Sequence, residues 1–412
     1  MIKFQRYQLE NGLQILIYPD YSTPMVALDV CYHVGAKNEN PNRTGFAHLF
    51  EHLMFGGTKN IPDYDEALQH AGGENNAYTT NDLTNYYLTI PKENLETGFW
   101  LESDRMMELD FSEEKLNIQK NVVIEEFKQR NLNQPYGDVW PLLRELAFRV
   151  HPYQWQTIGK EISHIADASL EEVKDFFFRF YAPDNAALIL SGHVDPEECL
   201  QLAKKWFGPI PNRKVSKANL PKEPIQTEFR EKTVEREVPD TALYLAFHMP
   251  DRRQYEYYVC DLISDVLSNG NSSRMYQRLI KEQKLFVELD AYLSGDHDPG
   301  LFIVSGKLAD GVSIDQAKTA IWKELKIMQT ELVSAVELEK IKNKLEANLV
   351  YSQMSYLNIA QELANFENID RAERINEQVD LYRSVSSANL MRQAQQLFQE
   401  TNCSQLNYLA RK

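Results

Sequence analysis

The run His48-Leu49-Phe50-Glu51-His52 holds the residues best suited to chemistry. An i, i+4 separation on a helix puts two imidazoles on one face, within reach of a single ion. Glu51, three residues after His48, borders that face. Leu49, Phe50, Leu53, Met54 and Phe55 make the rest of the surface apolar, so the helix is expected to be buried. A buried polar trio needs partners, and a metal satisfies all three. Neutral imidazoles beside a carboxylate suit zinc better than calcium or magnesium, which take oxygen cages.

A catalytic zinc needs a third protein ligand and an open position for water. The candidates are Glu125 and Glu126, beside Val122-Val123-Ile124 and Phe127 on a later helix. Adjacent helical residues point about 100° apart, so only one can meet the ion. Helical geometry alone does not choose between them.

Several elements must position these groups. Tyr7 to Glu10 and Leu13 to Tyr18 read as strands around an Asn11-Gly12 turn, followed by a strand from Met25 to Val34. Helical patterns cover Thr44 to Phe55, Tyr64 to Ala71, Leu95 to Met107 and Glu113 to Gln129. Strands are expected at Glu74 to Thr80, Asn85 to Ile90 and Ala187 to Ser191, with a helix from Pro196 to Trp206. Pro209 to Pro224 contains four prolines and reads as a linker. The expected domains are therefore residues 1–208 and 225–412, joined by 209–224. Ala27 to Val34 also echoes Ala242 to Met249, which predicts a second domain copying the first. That echo sets Leu262, Asp265 and Val266 where His48, Glu51 and His52 sit, so the copy lacks the metal motif.

A length of 412 residues exceeds one ordinary core and fits two domains. The formal net charge of −16 and the lack of a basic stripe argue against nucleic acid as a partner. The cysteines, Cys31, Cys199, Cys260 and Cys403, form no C-x-x-C pair, so neither a thiolate zinc site nor a disulfide framework is expected. No stretch approaches the ~18 apolar residues of a membrane span, and no apolar leader opens the sequence. A cytoplasmic setting is the expectation.

The H-x-x-E-H run resembles the inverted zincin signature of the pitrilysin/insulinase peptidases, which include insulin-degrading enzyme and the mitochondrial processing peptidase. The similarity extends over Gly45 to Thr58, Gly72 to Thr79, Thr84 to Tyr87 and Val122 to Glu126. It implies an α+β fold of two similar domains. Each would be an open, mainly antiparallel sheet with helices on its faces, and the pair would form half of a clamshell. It also implies a zinc-dependent endopeptidase holding one zinc ion per chain. Glu51 would be the general base, with His48, His52 and Glu126 as metal ligands and Asn76 touching the backbone of a peptide substrate. Half a clamshell implies a dimer, with itself or with a related chain.

Two positions depart from the family pattern. Gln119 stands where the family often has a second Glu near the metal. Ile280 and Val287 stand where active members or their partners carry an Arg and a Tyr that hold substrate; Arg278 lies close by. The expected partner is thus a paralogous chain carrying that pair, with a homodimer as the alternative.

Overall fold

The computed structural model describes residues 1–216, 219–295 and 297–411, and it packs as two units. The first comprises Met1–Lys128, Trp155–Leu220 and Val350–Asn376. The second comprises Gln129–Gln154, Pro221–Leu349 and Glu377–Lys412.

In the first unit, six strands are β1 (Gln5–Gln8), β2 (Gln14–Pro19), β3 (Met25–Tyr32), β4 (Glu74–Thr79), β5 (Thr84–Pro91) and β6 (Ala186–Gly192). They pair in the order β1-β2-β6-β3-β5-β4, antiparallel throughout except between β2 and β6. The Asn11-Gly12 turn joins the first two strands, with Gly12 at φ +97, a conformation most side chains avoid. β3 carries Met-Val-Ala-Leu-Asp-Val-Cys-Tyr, almost all buried, because both of its faces are covered. Leu28, Val30 and Tyr32 face the core that holds the motif helix. Ala27 and Cys31, pointing oppositely, pack with Leu16 and Ile189 against Ile359, Ala360 and Leu363 of the Tyr356–Ile369 helix.

The second unit repeats this plan. Its strands are β7 (Arg230–Arg236), β8 (Ala242–His248), β9 (Phe286–Ser294), β10 (Leu301–Leu308) and β11 (Cys403–Ala410), ordered β7-β11-β8-β10-β9 with only β7 and β11 parallel. Taken in chain order, its five strands and β2 to β6 occupy the same places with the same directions. Even the register agrees, since Tyr32 lies opposite Ala186 and Phe247 opposite Cys403, each at the start of the returning strand. One face of this sheet packs against the Tyr255–Ser268 helix, through Leu245, Phe247, Leu262 and Val266. The other receives Val139 and Leu143 of the Val139–Ala147 helix.

Packing thus exchanges two segments between the contiguous halves drawn from sequence: 129–154 belongs to the second unit and 350–376 to the first. The reason is that each sheet has two apolar faces, and the helix covering the second face comes from a distant stretch of chain. The expected linker also differs in its first part. Asp184 accepts hydrogen bonds from the backbone N–H groups of Arg213 (3.2 Å) and Val215 (2.8 Å). The Arg213 guanidinium donates to the carbonyls of Tyr181 (2.6 Å) and Met107 (3.0 Å) at two helix ends, so this stretch is fastened down. Lys217 and Ala218 of the linker lie outside the described residues.

Candidate metal centre

The motif helix spans Phe46–Leu53, shorter than the expected Thr44 to Phe55. It starts at Gly45, which adopts φ +91; a Cβ there would stand 2.9 Å from the Ile158 carbonyl oxygen. No neighbouring side chain caps the helix. Glu39 does so from outside, accepting the N–H groups of Gly45 (2.9 Å) and Ala47 (2.8 Å), and the Trp155 indole donates to the same carboxylate (3.1 Å). Burial pushes the Glu39 carboxyl up to about 8, against the pull of these donors toward the charged form. Phe46, Leu49, Phe50 and Leu53 anchor the helix, with Phe50 stacked on Phe176 at 5.0 Å. This packing fixes which way His48 and His52 turn.

Their rings lie 4.9 Å apart and nearly perpendicular. His48 Nε2 is 3.6 Å and His52 Nε2 is 3.5 Å from the same oxygen, Glu126 Oε2. Among the described residues these three form the one group of His, Cys, Asp or Glu whose ligand atoms all lie within 4.8 Å of one another. A tetrahedral zinc with arms of ~2.1 Å has edges of about 3.4 Å, so two nitrogens and an oxygen at this spacing fit that ion in both chemistry and size. His52 and Glu126 are partly exposed, so one side of the group is open.

Glu126 comes from the Glu113–Phe127 helix, and the helical rotation separates it from its neighbour. Glu125 is exposed and pairs with Lys128 at 2.6 Å. Gln119 is half-buried on the same helix, two turns before Glu126. Glu51 stands outside the ligand group. Its Oε2 accepts a hydrogen bond from Thr79 Oγ1 at 2.5 Å. Nearby, the Tyr86 and Tyr181 hydroxyls lie 3.3 Å apart. Burial first, and the Glu51 charge in addition, push both phenol pKa values up, so both stay protonated.

Asn76 lies exposed on β4, opposite Tyr87 of β5, and its side-chain oxygen accepts the Ala77 N–H at 2.8 Å. β4 is the edge of its sheet, with no strand paired to its outer side among the described residues. Other histidines hydrogen-bond ordinary partners: His164 with Thr44, His193 with the Thr23 carbonyl and His248 with the Ala147 carbonyl.

In the second unit, Leu262 and Val266 are buried apolar residues and Asp265 bonds Asn269, so the echoed helix presents no ligand set. Arg278 pairs with buried Glu324 at 2.7 Å. Ile280 packs on the second unit's core, and Val287 is exposed on β9. Sequence reasoning missed Glu39 and Thr79. Thr79 lies inside a block that carried the resemblance, but its spacing gives no local sign of a contact with Glu51.

Two family models match the chain. The model described as Insulinase (Peptidase family M16) covers residues 15–161, and the one described as Peptidase M16 inactive domain covers 167–345. The zinc protease PqqE of Helicobacter pylori is 26% identical over 405 residues, which is 97% of this chain and 91% of that one. The crystal structure of a protease from Helicobacter pylori superposes with a TM-score of 0.93 at 26% identity, covering 99% of this chain and all of that one. The periplasmic protease PqqL from Escherichia coli shares the fold at a TM-score of 0.80 and 21% identity; 99% of this chain matches 48% of that one. Among the described residues, no helix is long and apolar enough to cross a membrane.

Proposed function

We propose that this chain, which belongs to the insulinase family of peptidases (peptidase family M16), is a zinc-dependent endopeptidase acting on peptides or unfolded segments. The observation that carries this reading is the approach of His48 and His52 to one oxygen of Glu126, at 3.6 and 3.5 Å. These three residues would hold the ion. When bound, zinc supplies a Lewis acid that polarises the scissile carbonyl and lowers the pKa of coordinated water toward ~7.

Glu51, beside the ligands and outside their group, takes the proton of the attacking water and returns it to the leaving amine. The peptide pairs with the open edge of β4, where main-chain hydrogen bonds align it and Asn76 contacts its backbone. Such binding reads backbone more than side chain, so it suits extended or unfolded substrates.

The partner in this reading is a paralogous chain that lacks H-x-x-E-H and supplies the Arg and Tyr, completing an enclosed chamber. Arg278 is engaged with Glu324, and Ile280 and Val287 offer no hydrogen bond, which favours a partner over a self-sufficient homodimer. The cytoplasm is the proposed setting, and the four free, buried cysteines accord with it. Since PqqL is periplasmic, cell fractionation decides this point. A second reading, a non-catalytic subunit that binds peptide or assembles with a paralogue, draws on the same missing pair. The deciding experiment is metal analysis together with cleavage of an unstructured peptide library, with and without the purified paralogue. One zinc per chain with turnover supports the enzyme; zinc-free, inactive protein under both conditions defeats it.

A further inference from the structure

We infer that Thr79 is a positioning residue for Glu51, and that it ties the position of the base to the strand along which the peptide docks. The inference rests on the peptidase reading and names a residue to which that reading gives no role.

The contact is a short one, Thr79 Oγ1 donating to Glu51 Oε2 at 2.5 Å. A hydroxyl donating to a carboxylate is roughly twice as strong as a neutral pair, and this length is typical of that class. It matters because a Glu side chain is otherwise costly to order, at ~1.5–2 kcal/mol of rotamer freedom. A β-branched donor is well suited to hold it, since its own χ1 is stiff.

The backbone beneath Thr79 is also fixed. Thr79 pairs with Thr84 at the last rung of the β4–β5 ladder. The following turn is closed by the Thr80 N–H to the Leu83 carbonyl (2.8 Å), and by Asp82 and Leu83 N–H groups donating to Thr80 Oγ1 (3.0 and 3.1 Å). Thr84 Oγ1 in turn donates to the Val34 carbonyl at 2.8 Å, anchoring the rung to the end of β3. The donor is therefore held by the sheet, whereas the acceptor sits on the motif helix.

Side chains alternate along a strand, so Thr79 and Asn76 point to opposite faces while sharing one edge, about 10 Å apart. A peptide that adds to the outer side of β4 orders the same strand that holds Glu51. Docking then acts on the orientation of the base, which places the benefit in turnover and leaves ground-state affinity nearly unchanged.

The test compares Thr79→Val, which keeps the shape and removes the donor, with Thr79→Ser, which keeps the donor. For Thr79→Val the expectation is a kcat lower by about ten- to hundredfold, a share of the ~10²–10⁴ that general-base catalysis contributes. KM should stay within about twofold and zinc content should match the parent, with Thr79→Ser restoring most of kcat. A second readout needs no activity: Tm is measured for Thr79→Val, Glu51→Ala and the double variant. The Thr79→Val effect should vanish in the Glu51→Ala background if the two side chains interact. Additive Tm changes, unchanged kcat in Thr79→Val, or equal loss in Val and Ser variants would each overturn the inference. A parent protein that is inactive both alone and with the paralogue instead defeats the peptidase reading, while the thermal cycle still tests the contact.

Discussion

Glu126 Oε2 stands 3.5 Å from His52 Nε2, while Glu125, its neighbour in sequence, reaches out to Lys128 at 2.6 Å. One residue of helical rotation separates a position beside the histidines from a solvated ion pair. Glu126→Gln is therefore expected to deplete zinc, and Glu125→Gln to leave it in place, because an exposed pair of this kind contributes little. Elemental analysis of both variants decides. Full zinc in Glu126→Gln would remove it from the ligand set.

The two histidines and Glu51 should fail in different ways. In the proposed site, His48→Ala or His52→Ala would leave two protein ligands, too few to hold the ion well, so zinc and turnover should disappear together. Glu51→Gln keeps the shape and loses the base, so zinc should stay while kcat falls by at least ~10². Retained turnover in Glu51→Gln would exclude it as the base.

A pH effect is expected from Asp29, buried at the centre of the first sheet. Its Oδ2 accepts a hydrogen bond from Asn85 at 2.9 Å, and burial pushes its carboxyl up to about 7. The unfolded chain ionises near the ordinary value of 3.8, well before the folded one. The unfolded state is thus favoured progressively as pH rises from about 4 to about 7. Asp29→Asn removes this contribution. Its Tm should exceed the parent's by several degrees at pH 7, with the gap closing below pH 4. A gap that does not change over this range would show that Asp29 is charged in the folded protein.

The proposed division of labour between this chain and a paralogue predicts low activity in isolation. The chain purified alone should cleave unstructured peptides at a rate lower by about 10²–10³ than in the presence of a paralogue carrying the Arg and Tyr, the usual effect of one missing transition-state donor. Robust turnover by the isolated chain, unaffected by the paralogue, would sink the split-site proposal.

Much of the local structure is legible in the sequence. The i, i+4 histidines, the strand around Met25 to Tyr32 and the Pro196–Trp206 helix follow from periodicity. The echo between Ala27 and Ala242 reflects a true duplication of strand order. Choosing Glu126 over Glu125 needed the family resemblance, because the two residues have equivalent surroundings in sequence. Glu39 and Thr79 were beyond reach for another reason. Local capping patterns look for a side chain at the helix start, and Glu39 reaches in from a separate loop. Which helix covers which face of a sheet is likewise set by long-range packing, so the exchange of 129–154 and 350–376 leaves no local mark.

That exchange has a consequence during synthesis. When β6 leaves the ribosome, the first sheet has all its strands, but the Tyr356–Ile369 helix that covers one face has not been made. At ~5–20 residues per second, the wait lasts on the order of ten to thirty seconds. Through that interval Leu16, Ala27, Cys31, Ala187 and Ile189 present an uncovered apolar surface. The nascent chain is therefore a natural client for a chaperone that shields hydrophobic surface, and a truncation before residue 356 should aggregate even though His48, His52 and Glu126 have all been translated.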